Sequence, residues 1–100
     1  MVKKVVWTLG AHQERKDILD YWIFHNQSNS YSIKLNGQIE RATEYLSRFP
    51  KTGRLTDTEN VRTLRVHHYL LIYEETASEL NILSLWGARQ DPQKLKKRLE

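Results

Sequence analysis

The sequence predicts an α+β fold in the order β-α-α-β-β-β, with a helix hairpin packed on one face of a small, mainly antiparallel sheet, all within a single domain over residues 1–100. Three observations predict it. From Val61 to Pro92 the chain reads as three consecutive strands: Val61 to His67 alternates, and Tyr69 to Tyr73 and Leu80 to Trp86 are short apolar runs rich in β-formers. Their connections, His67-His68 and Thr76-Ala77-Ser78-Glu79, are too short for anything but antiparallel pairing. Earlier in the chain, Leu35, Ile39, Ala42, Leu46 and Phe49 recur at spacings of 4, 3, 4 and 3, the signature of one helix face. Finally, 100 residues with 39% hydrophobic and 28% charged content supply one core and no second.

Taken in order, Val2 to Trp7 is a short β-run and Thr8 is the cap of the helix that follows. Ala11, Ile18 and Trp22, with Leu19 and Ile23 beside them, form its buried stripe, while Glu14, Arg15, Lys16, Asp17 and Asp20 face outward. The helix is expected to stop near His25-Asn26, where Gln27-Ser28-Asn29-Ser30 collects turn and capping residues. Ser28 or Ser30 starts the second helix, and Pro50 ends it because the residue before a proline avoids the α region. Lys51 to Asn60 reads as a polar loop with Gly53 as its turn residue. After the meander, Asp91-Pro92 opens a basic tail in which Leu95 and Leu99, four apart, form an amphipathic turn.

The meander has two faces of different character. Arg62, Leu64 and Val66 share one, and Val61, Thr63, Arg65 and His67 the other. The next run, Leu70-Leu71-Ile72-Tyr73, is apolar on both, and Leu80 and Ile82 are expected to oppose Leu83 and Leu85. A helix hairpin covers one face, so the second is expected to present an apolar patch of roughly several hundred Å². Leu70 and Ile72 are its expected apolar contacts, flanked by Arg65 and Arg89, which suits an amphipathic segment of an acidic partner.

The formal charge of +4 and pI near 9.5 favour acidic or polyanionic partners. Basic residues concentrate in the tail, where Arg89, Lys94, Lys96, Lys97 and Arg98 stand against Asp91 and Glu100. With no cysteine there is neither a disulfide framework nor a thiolate metal site, and His12 and His25 have no metal-ligand spacing. No cofactor motif occurs. The N-terminal apolar stretch is too short for a signal peptide and no run is long enough to span a bilayer, so a cytoplasmic protein without membrane association is expected. His67-His68 invites an acid–base reading, but adjacent strand residues point to opposite faces, so one imidazole at most serves a given site.

These pieces, in this order, resemble the RelE/ParE toxin superfamily of bacterial type II toxin–antitoxin modules over nearly the whole length. The likeness is carried by Leu46 to Pro50 followed by Gly53-Arg54, by Val61-Arg62-x-Leu64 leading to Tyr69-Leu70-Leu71-Ile72-Tyr73, and by a closing strand running into Gly87-Ala88-Arg89-Gln90-Asp91-Pro92. The resemblance implies a toxin neutralised by a cognate acidic antitoxin in a hetero-oligomer, with Leu70, Ile72, Arg65 and Arg89 as antitoxin contacts. RelE-like members cleave ribosome-bound mRNA by attack of a 2′-hydroxyl on the adjacent phosphate; ParE-like members poison DNA gyrase. The RelE-like chemistry uses cations on the first two meander strands, where this chain has Val61, Thr63 and Leu70, and an arginine after the last strand, where it has Arg89. A dianionic transition state without those cations loses its main electrostatic support. The resemblance therefore implies ParE-like inhibition of gyrase, with Arg89, Lys94, Lys96, Lys97 and Arg98 contacting the target. The alternatives are a RelE-like ribosome-dependent endoribonuclease, with Arg65, His67 and Arg89 catalytic, or a small basic interaction domain with no toxicity.

Overall fold

The computed structural model describes residues 2–87. Its elements are β1 (Lys4–Trp7), α1 (Leu9–Asn26), α2 (Ser30–Arg48), a 3-10 turn (Pro50–Thr52), β2 (Arg54–Leu55), β3 (Val61–Val66), β4 (Tyr69–Glu75) and β5 (Glu79–Gly87). The strands form one sheet in the order β1-β5-β4-β3-β2. β1 runs parallel to β5, since the helix hairpin and the meander lie between them in sequence; the other pairs are antiparallel. The expected α+β architecture is the one observed, with β2 as an additional edge strand.

Local chemistry sets the helix ends. The Thr8 side chain accepts the Ala11 N–H at 3.1 Å, and Thr8 is held to β5 by its own N–H on the Ile82 carbonyl. At the other end Gln27 adopts φ 51°, with Gln27 N–H on the Phe24 carbonyl and Ser28 N–H on the Ile23 carbonyl. That is a Schellman closure with glutamine at the left-handed position that usually takes glycine. α2 begins at Ser30, whose N–H is accepted by the Ser28 hydroxyl. The two helices are clipped together by Ser32 Oγ donating to the Leu19 carbonyl at 2.6 Å, and by Arg15, which donates to Asn36 Oδ1 and Glu40 while lying 4.6 Å over the Trp7 ring. Burial lowers the pKa of Arg15, and Glu40 opposes that shift.

The core lies between helices and sheet: Ala11, Leu35, Ile39, Leu46, Leu71, Tyr73, Leu80 and Ile82 are fully buried, and Leu85 and Val66 nearly so. Two residues assigned to helix stripes from spacing are not in it. Ile23 and Phe49 are 41% and 55% exposed; Ile23 lies in the last turn of α1 and Phe49 is the C-cap of α2, where the helical face no longer continues. Leu85 is a further correction. It joins Leu80 and Ile82 in the helix-side core rather than facing away, because the β4–β5 register shifts between Ile72, opposite Ser84, and Tyr73, opposite Ile82. That bulge inserts one residue and reverses the parity of the rest of β5.

The loop expected at 51–60 is partly ordered by a buried knot. Tyr73, with no exposed surface, accepts the Gly53 N–H at 2.9 Å and donates to the Pro50 carbonyl at 2.7 Å. Arg62 donates from Nη1 to the Gly53 carbonyl at 2.8 Å and to that of Lys51 at 3.3 Å. Gly53 is not a turn residue: at φ −69°, ψ 161° its backbone is extended. Glycine is required there for close approach, since a Cβ would collide with the Tyr73 hydroxyl and lie 2.8 Å from the Thr63 carbonyl. The knot tethers β2 to β3.

Tyr73→Phe is expected to cost about 1–3 kcal/mol in urea unfolding, because it strands the Gly53 N–H and the Pro50 carbonyl. Burial raises the Tyr73 pKa above its ordinary 10.0, only partly offset by the Gly53 N–H. The neutral phenol is thus favoured by folding. Its contribution is complete below pH 10.0 and is lost as pH rises through the folded-state value, because the unfolded chain ionises first. The stability gap between wild type and Tyr73→Phe is therefore expected to narrow as pH rises from 10.0 through the folded-state value.

Candidate functional site

Alternation along β4 divides its side chains. Leu71 and Tyr73 enter the core, and the Tyr69 hydroxyl accepts the Trp22 Nε1–H at 2.7 Å, so the odd positions face the helices. Leu70, Ile72 and Glu74 face the other way. Pairing lines up Arg65, Leu70 and Trp86 across β3, β4 and β5 in one row, next to the His67-His68 turn. Arg65 is exposed, and Leu70 and Trp86 are half-buried. Arg65 Nε donates to the His67 carbonyl at 2.8 Å, which holds the guanidinium at the turn end of the sheet. The Trp86 Nε1 is buried and has no hydrogen-bond partner among the described residues.

This row unites Arg65 and Leu70, as expected, but not Ile72 as an exposed contact. Ile72 has no exposed surface and Val61 only 4%, and neither belongs to the helix-side core. Ile72 sits on the central strand with Thr63 and Ser84 directly across on its two flanks. The available apolar surface on this face is therefore smaller than alternation implies, and it centres on Leu70.

His67 lies at the same end but contributes through its backbone. It is exposed, has φ 56°, and its carbonyl receives the Arg65 side chain. A side chain at positive φ costs on the order of 1 kcal/mol. His67→Gly is therefore expected to leave stability unchanged or raise it by up to about 1 kcal/mol in urea unfolding.

Gly87 pairs with Tyr69, so β5 ends beside this row. Arg89, Lys94, Lys96, Lys97 and Arg98, and the turn expected around Leu95 and Leu99, lie outside the described residues. Among the described residues no group of three potential ligands is placed to hold a metal ion, and no helix is long and apolar enough to cross a membrane.

Sequence reasoning missed the role of Arg62. Its parity with Leu64 and Val66 holds, since it pairs with Tyr73 while they pair with Leu71 and Tyr69. The guanidinium, however, is committed to the carbonyls of the knot. The short motifs that carried the family resemblance, Gly53-Arg54, Val61-Arg62-x-Leu64 and the β4 run to Tyr73, include the three residues of that knot.

Three comparisons bear on this geometry. The family described as the ParE toxin of type II toxin-antitoxin system, parDE, matches residues 5–92. Among solved structures, a chain of the "Chromosomal ParDE TA system from P. aeruginosa" aligns with a TM-score of 0.75 at 18% identity, over 88% of this chain and 98% of that one. At that identity the likeness is one of fold. A comparison with curated proteins gave no match.

Proposed function

Because the chain belongs to the ParE toxin family of type II toxin–antitoxin systems, we propose that it arrests growth in the cytoplasm by inhibiting DNA gyrase, and that a cognate acidic antitoxin neutralises it by covering the face around Leu70 and Arg65. The observation that carries the gyrase reading is the family match over residues 5–92. The character of the open face supports it. At the positions where a RelE-like nuclease would place cations, Val61 is buried, Thr63 and Leu70 are half-buried, and none is charged. Of the arginines on β3, Arg62 is spent on backbone carbonyls, which leaves Arg65 exposed on this face. Among the described residues β3 thus brings a single exposed guanidinium to this face, which gives a phosphodiester transition state far less stabilisation than a cluster of cations.

In this reading Arg65 and Arg89 serve both partners, so antitoxin binding masks groups that the target also uses. The tail cations Lys94, Lys96, Lys97 and Arg98 are the proposed target contacts. The test compares two reactions of purified toxin: supercoiling by gyrase, and cleavage of mRNA in a translating extract. Inhibited supercoiling with intact mRNA is expected. Codon-positioned mRNA cleavage that disappears in Arg65→Ala would overturn the gyrase reading in favour of a ribosome-dependent endoribonuclease.

A further inference from the structure

We propose that the outward stripe of α2 binds single-stranded nucleic acid, with Lys34, Arg41 and Arg48 on the phosphates and Tyr45 and Phe49 against the bases. The three cations are all exposed and follow one another at seven-residue steps, which a helix converts to about 10.5 Å each along one side. Lys51, in the 3-10 turn after the helix, is exposed as well. Lys34, Arg41 and Lys51 make no ion pair among the described residues. Arg48 meets Glu44 at 3.6 Å, but both side chains are well exposed, and such a pair contributes little. Glu40, the other acid on this helix, is turned toward Arg15 and Asn36 on the α1 side.

Beside the cations lie two aromatic rings with no role in the core. Tyr45 and Phe49 are 52% and 55% exposed and touch each other, centroids 5.0 Å apart. They are not overflow from the interior, since Leu35, Ile39 and Leu46 already fill the buried side of α2 completely. Free cations interleaved with exposed rings are the two components of a single-strand site, one tracking the backbone and the other taking base faces. An acidic peptide would answer the cations and leave the rings unexplained. The stripe is on the outer side of the helix layer, away from the sheet face assigned to the antitoxin.

The probe is a fluorescein-labelled oligothymidylate of about twelve nucleotides, with its oligouridylate counterpart, followed by anisotropy across a salt series. For wild-type protein the logarithm of affinity is expected to fall linearly with the logarithm of salt. The Lys34→Gln, Arg41→Gln, Arg48→Gln variant is expected to flatten that slope by about 2, near 0.7 for each cation removed. Tyr45→Ala with Phe49→Ala is expected to weaken binding by about 10- to 100-fold with the slope unchanged, the loss of base stacking. All five positions are on the surface, and circular dichroism checks that each variant is folded. Comparing the two oligonucleotides tells whether the sugar matters. Absence of binding by wild type at low salt overturns the proposal. So does an unchanged slope in the triple variant, which would assign the binding to cations elsewhere, such as Lys94, Lys96 and Lys97. Equal binding of a polyglutamate peptide with the same dependence on Tyr45 and Phe49 would make the stripe a dock for acidic proteins and also overturn it. Gyrase is absent from the measurement, so its outcome is independent of the proposed target.

Discussion

Leu70→Glu is expected to lower antitoxin affinity by at least about a hundredfold while the toxin stays folded. Leu70 is the half-buried apolar centre of the row, between exposed Arg65 and half-buried Trp86. An acidic partner laid across that row would meet a new carboxylate where it expects an apolar surface, losing the contact and gaining repulsion. The fold tolerates the change because the site is half-buried and Arg65 stands directly across, ready to pair with the introduced charge. Ile72→Glu is the contrasting case. It would place a charge at a position with no exposed surface, and a buried uncompensated charge unfolds domains of this size. Thermal melts by circular dichroism and titration calorimetry against the antitoxin separate the two outcomes. If Leu70→Glu binds the antitoxin with wild-type affinity, the antitoxin does not sit on this face.

Trp22→Ala is expected to cost about 3 kcal/mol of stability, although the ring is only half-buried, because it links helix and sheet. Trp22 joins the hairpin tip to the sheet. Its ring packs at 4.9 Å from Tyr31, 5.1 Å from Tyr21 and 5.5 Å from His25, and its Nε1–H reaches the Tyr69 hydroxyl on β4. Alanine removes the ring contacts and the bond together, leaving a cavity that neighbouring helices close only in part. Trp22→Phe keeps a ring and loses the bond, so about 1 kcal/mol is expected. Urea unfolding with tyrosine fluorescence measures both. A loss below about 1 kcal/mol for the alanine variant would mean that α1 and α2 are held to the sheet without this end of the hairpin.

Much of this molecule was legible before any coordinates. The helix boundaries follow from residues within a turn of them: Thr8 caps α1, the Gln27 to Ser30 segment closes it and opens α2, and Pro50 stops α2. The division of β3 into a face with Arg62, Leu64 and Val66 and a face with Arg65 follows from a period of two, and the register bears it out. The joining of Arg65 and Leu70 follows from the same alternation plus a two-residue turn.

Other features had no local signal. Gly53 reads as a turn in any polar loop. Its real constraint is the Tyr73 hydroxyl, twenty residues away, which comes within reach only when β3 and β4 pair. The side chosen by Leu85 depends on a bulge, and a bulge is a mismatch between two strands, visible in neither alone. Ile72 and Leu70 are equally apolar and share a face, yet Ile72 has no exposed surface and Leu70 is half-buried, a difference that alternation does not carry. Periodicity and capping are decided by near neighbours, so the sequence alone determined the two helices, β1 and the three meander strands, their order and the faces of β3, but not β2. Close approach, register shift and shielding are decided by residues distant in the chain, and only the tertiary structure could set them.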